Sequence, residues 1–191
     1  MRNSGLRAAP LETDVFIVGG GPAGLAAAIA ARQKGFRVAI ADSATQPVDK
    51  ACGEGLMPDG IAALRELGIT IPAAQRFPFR GIRFVEGNLA AQSDFSNERG
   101  SGIRRTTLHT ALAERAAALG VEMHWGNRVV GLNGNNSETR NSTEAFPWKD
   151  APYALDGSSA LMDKTHAFAS GRNLLLRARR VFATASAVTF K

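Results

Sequence analysis

Four glycines crowd into the six positions Gly19-Gly20-Gly21-Pro22-Ala23-Gly24, directly after the apolar run 15–18. Glycine loses more conformational freedom on folding than any other residue, so the crowding marks a place where the main chain must be bare. The spacing Gly19-x-Gly21-x-x-Gly24 suits the junction of a strand and a helix. There the first glycine permits a tight turn, the second lets the backbone approach a pyrophosphate, and the third lets helix and strand pack closely. Unpaired N–H groups at the helix start, with about half a positive charge, favour a phosphate dianion. Asp42 lies 23 residues beyond Gly19, near the roughly 20 at which a carboxylate accepts hydrogen bonds from an adenosine ribose. The spacing therefore points to dinucleotide binding. The competing reading is a glycine-rich turn in an ordinary α/β domain, with Asp42 merely solvated.

Strand, helix and strand must position these groups, and the pattern supplies them. An apolar run at 14–18, an alanine-rich helix at 22–34 and a second apolar run at 35–41 make a βαβ unit of parallel strands. A polar loop over 43–55 leads to a helix at 57–67, which has Pro58 in its first turn and Gly68 as its stop. Alternating residues around Gly87-Asn88 predict a hairpin inserted near 80–96. A helix over 106–119 capped by Gly120, then strands at 121–125 and 127–132, complete the regular pattern. The expected organisation is a disordered lead-in at 1–12, a Rossmann-like domain over 13–132, and a poorly specified or disordered tail over 133–191. Within that tail only 174–188 is apolar enough for one more strand or helix.

Composition narrows the function classes. The net charge is +6 and the pI about 10.2, but the basic residues are scattered, only Arg177-Ala178-Arg179-Arg180 is dense, and no aromatic ladder accompanies it. A solvated basic face is the better reading than a nucleic-acid surface, so no nucleic-acid partner is expected. No run reaches the roughly 18 apolar residues of a membrane span, and the N-terminus lacks the apolar core of a secretory signal, which places the expectation in the cytoplasm. A single cysteine, Cys52, rules out an intrachain disulfide. His109, His124 and His166 have no ligand spacing and read as structural, so no metal is expected.

The run DVFIVGGGPAGLAAAIAARQKGFRVAIAD resembles the N-terminal FAD-binding segment of a large flavoprotein group that includes aromatic-ring monooxygenases, geranylgeranyl reductases and flavin-dependent halogenases. DKACGEGLMPDGIAALRELGI resembles the geranylgeranyl-reductase-like branch, and GIRRTTLHTALAERAAALGV resembles the group's next landmark, an arginine at the start of a helix ending in Gly-Val. The matches run in order over about 12–132. The resemblance implies a Rossmann-like FAD-binding fold, incomplete here, with a partial β-rich substrate domain. It also implies that Gly19, Gly21 and Gly24, with Pro22 and Ala23 between them, hold the pyrophosphate of FAD. Asp42, followed by Ser43, would bind the adenosine ribose, and Arg105 would reach the cofactor near its phosphates, with Arg104 as the fallback. The backbone of Val129 would lie beside the adenine, although a plain core valine reads equally well. The loop of Cys52 and Gly53 would pass beside the flavin ring. Cys52 reads better as a small buried hydrophobe than as a reactive thiol. Glu54 is either a proton donor or a solvated carboxylate.

On this resemblance a nicotinamide, NADH or NADPH, reduces FAD, which then acts on a small organic or isoprenoid-like substrate by oxygen activation or double-bond reduction. The halogenases' Trp-x-Trp-x-Ile-Pro motif is absent, Trp125 and Trp148 being isolated, and the CGEG loop tilts the reading towards a reductase. The group's later Ala-Asp-Gly and Gly-Asp segments have no counterpart, Ala183-Thr184-Ala185-Ser186 standing where the first would fall. The expectation is a truncated chain, or one whose final third is read from an altered frame. The alternative function is then a non-catalytic fragment keeping only the ADP-binding half of the flavin site.

Overall fold

The computed structural model describes residues 11–50, 52–96, 98–134, 159–170 and 174–184, with side chains described over 12–129 apart from 51 and 97. In chain order the elements are β1 (Leu11–Val18), α1 (Pro22–Gln33), β2 (Val38–Asp42), β3 (Gly55–Leu56), α2 (Pro58–Glu66), a 3-10 turn at Ala73–Gln75 and β4 (Phe77–Phe79). There follow β5 (Gly81–Glu86), β6 (Leu89–Asp94), β7 (Gly100–Gly102), α3 (Arg105–Ala118), β8 (Glu122–Trp125), β9 (Arg128–Gly134), β10 (Ser159–Ser170) and β11 (Leu174–Thr184). Two compact units result, one from Met1–Gln46 with Ala116–Lys191 and the other from Pro47–Arg115. No helix among the described residues is long and apolar enough to cross a membrane.

The first unit is built on a six-stranded sheet in the order β8-β2-β1-β11-β10-β9. β8, β2, β1 and β11 run parallel, while β10 is antiparallel to both β11 and β9. Parallel strands covered on both faces need continuous apolar runs rather than alternation. That is why Phe16, Ile17 and Val18 on β1 and Val38 to Ala41 on β2 are buried without a break. α1 buries Gly24, Leu25, Ala28 and Ile29 as one stripe. Its alanines keep the helix slim enough to lie close to the sheet, and glycine at 24 lets β1 and α1 approach further still. At the opposite strand ends, Asp14 accepts hydrogen bonds from the main-chain N–H and guanidinium of Arg37 at 2.9 to 3.2 Å, tying the start of β1 to the entry of β2. That pair raises the Arg37 pKa, chiefly through the hydrogen bond to Asp14.

β11 lies between β1 and β10, inside the sheet, so the expected tail over 133–191 is corrected: β10 and β11 are strands of the first unit. β11 has the apolar run that made one more strand readable. β10, SALMDKTHAFAS, mixes small, charged and apolar residues without a period, so only pairing with β9 and β11 defines it. Residues 135–158 of that expected tail, with Trp148, lie outside the described residues. Leu11 and Glu12, expected in the disordered lead-in, pair with Leu176 and Arg177 of β11, while residues 1–10 lie outside the described residues. The expected single domain over 13–132 differs from the observed division: residues 47–115 form a unit of their own, because their sheets β3-β7-β4 and β5-β6 hydrogen-bond among themselves.

In the second unit, Ile61, Leu64, Ile69, Ile71, Ile103 and Leu112 are buried. α2 stops where Gly68 turns left-handed at φ 74°, and Arg115 from α3 donates to the Leu67 carbonyl at 3.0 Å across that stop. The expected hairpin is present as β5 and β6, joined at Gly87 with φ 56°, a first central turn residue of the kind two-residue hairpins favour. Its strands carry exposed Phe84, Val85 and Leu89.

Candidate functional site

β1 ends at Val18 where the sheet changes direction, since its neighbours β2 and β11 lie on opposite sides. Crevices at the carboxyl ends of strands beside such a switch are where open α/β sheets bind ligands. The glycine turn occupies that position. Gly19 has φ 107°, a conformation that only glycine adopts without strain, and its N–H donates to the Ala41 carbonyl at 2.8 Å. A Cβ on Gly24 would run into the Gly19 carbonyl oxygen and crowd Ile17, so the third glycine is a matter of packing. Gly21 is the N-cap of α1 with φ −70° and ψ 177°, Pro22 takes the first helical position, and no side chain caps the helix. The start of α1 thus presents main-chain donors with no side-chain acceptor set against them. Pro22 is half-buried, and Ala23 is exposed.

Asp42, at the end of β2, turns its carboxylate towards this turn. Oδ2 accepts the Gly20 N–H at 2.6 Å and Oδ1 accepts the Ala44 N–H at 2.8 Å. A carboxylate offers about four lone-pair positions, so two main-chain bonds leave room for two hydroxyl donors. Ser43 beside it is exposed. The rim continues into the turn after β8: Asn127 donates its N–H to the Asp42 carbonyl at 2.9 Å, and Gly126 to the Ala44 carbonyl at 3.0 Å. Val129 is half-buried on β9.

Trp125 at the end of β8 is the residue that sequence reasoning missed. The six-membered ring of its indole fills the space a Cβ on Gly20 would need. The turn is therefore bare of its own side chains but covered at Gly20 by a ring from a neighbouring strand, and Gly19, Gly20 and Gly21 are all buried. A lone tryptophan carries no periodic signal. Only the parallel register, which sets Trp125 against Asp42, reveals the contact.

The remaining predicted residues belong to the second unit. Arg105 opens α3 and is half-buried, and its Nε is buried without a hydrogen-bond partner, whereas Arg104 is exposed. Its main-chain N–H donates to Oε1 of Glu54 at 3.1 Å, while the Glu54 carbonyl accepts from Ile103 at 2.8 Å. Glu54 is the one non-glycine residue with positive φ among those described, at 51°. Glu54 is exposed, and its carboxylate is bonded at the start of a helix. Cys52 is exposed, which corrects the expectation of a buried thiol: it lies in an irregular stretch beside Gly53, where a built Cβ meets nothing within 4 Å. His109 is fully buried, and His124 is half-buried with Nε2 3.3 Å from Glu122. Among the described residues no cluster could hold a metal ion.

Residues 12–145, more than half of the chain, match the FAD binding domain family. The chain belongs to that family. This FAD binding domain is 34% identical over 130 residues to the menaquinone reductase of Mycobacterium tuberculosis, covering 66% of this chain and 32% of that protein. It is 31% identical over 127 residues to the rifampicin monooxygenase of Streptomyces venezuelae, covering 62% of the chain and 26% of the relative. The chain spans about a third of the length of the menaquinone reductase it matches. Among solved structures, a geranylgeranyl bacteriochlorophyll reductase-like protein from Thermoplasma acidophilum superposes with TM-score 0.58 at 23% identity, over 90% of this chain and 38% of that one, a likeness of fold.

Proposed function

We propose that the protein is an FAD-dependent oxidoreductase that holds the ADP half of the cofactor on the glycine turn and Asp42. The observation that carries this reading is the Asp42 carboxylate bonded to the Gly20 N–H, which sets a ribose acceptor beside an uncapped helix start. The residues present fit the group. Gly24 admits the close helix, the α1 donors suit a diphosphate, and two acceptor positions remain on Asp42. In this reading Gly19, Gly21, Pro22, Ala23 and Gly24 surround the pyrophosphate. Asp42 and Ser43 take the ribose, and the backbone of Val129 borders the adenine.

Bound FAD would supply the redox step, accepting hydride from NADH or NADPH and passing electrons to oxygen or to a substrate double bond. The protein's own part is binding, orientation and charge. A small organic or isoprenoid-like substrate is supported by the relatives' names, a menaquinone reductase and a rifampicin monooxygenase.

The test is the colour of the purified protein and its oxidation of NADPH. Gly21 is the informative variant, because its φ of −70° and ψ of 177° are open to any residue. Gly21→Leu is expected to stay folded by circular dichroism and to lose its flavin absorbance, since the new side chain enters the space a diphosphate needs. Unchanged colour in that variant would remove the phosphate-contact role. A folded, colourless wild-type protein inert towards NADPH would leave only the non-catalytic alternative.

A further inference from the structure

We propose that Trp125 is the base-stacking wall of the adenosine end of this site, a residue that selects ligands carrying adenine over those ending at the phosphate. The inference rests on the ADP-binding reading above and extends it to a residue with no assigned role. Trp125 sits opposite Asp42 in the parallel register of β2 and β8, at the carboxyl ends where the glycine turn also lies. One edge of its ring is seated on Gly20, beside Cβ of Asp42, and the residue as a whole is only half-buried. The backbone beneath it is held at three points: Asn127 Nδ2 donates to the Trp125 carbonyl at 2.9 Å, Asn127 N–H to the Asp42 carbonyl at 2.9 Å, and Gly126 N–H to the Ala44 carbonyl at 3.0 Å. An anchored ring loses little freedom when a ligand stacks on it.

The chemistry follows from adjacency. A ribose bonded to the two remaining acceptor positions of Asp42 carries its base within reach of whatever borders that carboxylate, and Trp125 borders it. A purine is flat and polarisable, and it stacks favourably on an aromatic side chain. The same ring acts as the missing side chain of Gly20, which requires glycine at that position. A pyrophosphate without a base gains nothing from the indole, so the two probes separate stacking from support of the turn.

The experiment is calorimetric titration of wild-type protein, Trp125→Leu and Trp125→Phe with ADP and with inorganic pyrophosphate, alongside tryptophan emission. Wild-type protein is expected to bind both probes, with emission changed by ADP and not by pyrophosphate. Trp125→Leu is expected to weaken ADP about tenfold and leave pyrophosphate unchanged. Trp125→Phe, which keeps an aromatic face and carries the test should the leucine variant fail to fold, is expected to weaken ADP about threefold. Equal loss for both probes would mean that the ring only props the turn, and no loss for either would mean that it touches neither; each overturns the proposal. Wild-type protein that binds neither probe overturns the ADP-binding reading and this one with it.

Discussion

Asp42 and Glu54 illustrate how single carboxylates act here through the main chain. Each accepts an N–H at the entry to a helix or a turn: Asp42 from Gly20, which precedes α1, and Glu54 from Arg105, which opens α3. For Asp42 the bond orients the oxygens towards the carboxyl ends of the sheet, leaving half its acceptor capacity for a ligand. For Glu54 the bond comes with a left-handed backbone, which costs about 1–2 kcal/mol in a residue with a Cβ. Two substitutions divide these effects. Glu54→Ala loses the acceptor and keeps the strain, whereas Glu54→Gly loses the acceptor and removes the strain. The glycine variant is expected to be the more stable of the two by about 1 kcal/mol in urea unfolding. Equal stabilities would show that Glu54 adopts its conformation without cost. Asp42 was legible from its interval after Gly19, because ribose recognition needs a carboxylate at the next strand end. The roles of Glu54 and Trp125 were not, since each depends on a partner more than 50 or 100 residues away in sequence.

At the scale of elements, boundaries followed from glycine chemistry. α2 and α3 each end two residues before a left-handed glycine, Gly68 and Gly120, as their sequence positions implied. The two-residue turn at Gly87-Asn88 likewise declared its hairpin. At Gly68 the φ of 74° is compounded by crowding, because a Cβ there would lie 2.8 Å from Nη2 of Arg115, the side chain that bonds the Leu67 carbonyl. Gly68→Ala is expected to destabilise by about 1–2 kcal/mol. Gly53→Ala, with open space and no left-handed backbone, should be nearly neutral for folding. Thermal unfolding of the pair checks both, and equal melting temperatures would contradict the strain at the α2 stop. β10 escaped sequence reading because neither of its faces repeats a residue type, so nothing local distinguishes it from a loop.

For the whole molecule, the deciding feature is that β11 enters the sheet next to β1 and parallel to it. A chain segment 165 residues downstream thereby completes the switch at which the glycine turn lies. Ala183 pairs with Val18 on one side and Ala160 on the other, so a proline there removes a ladder donor from a strand with neighbours on both edges. Ala183→Pro is expected to lower the melting temperature by at least about 5 °C and to reduce retained flavin. An unchanged melting temperature would mean that β11 is dispensable to the sheet. The glycine spacing, the apolar strands around it and Asp42 were determined by sequence alone, because turn geometry, burial on two faces and a strand-end carboxylate are local demands written in adjacent residues. Only the tertiary structure decided that β10 and β11 complete the sheet, that residues 47–115 form a separate unit, and that Trp125 covers Gly20. These are matters of pairing between distant strands, and the energy of such pairing depends on register and burial rather than on any pattern within the segments themselves.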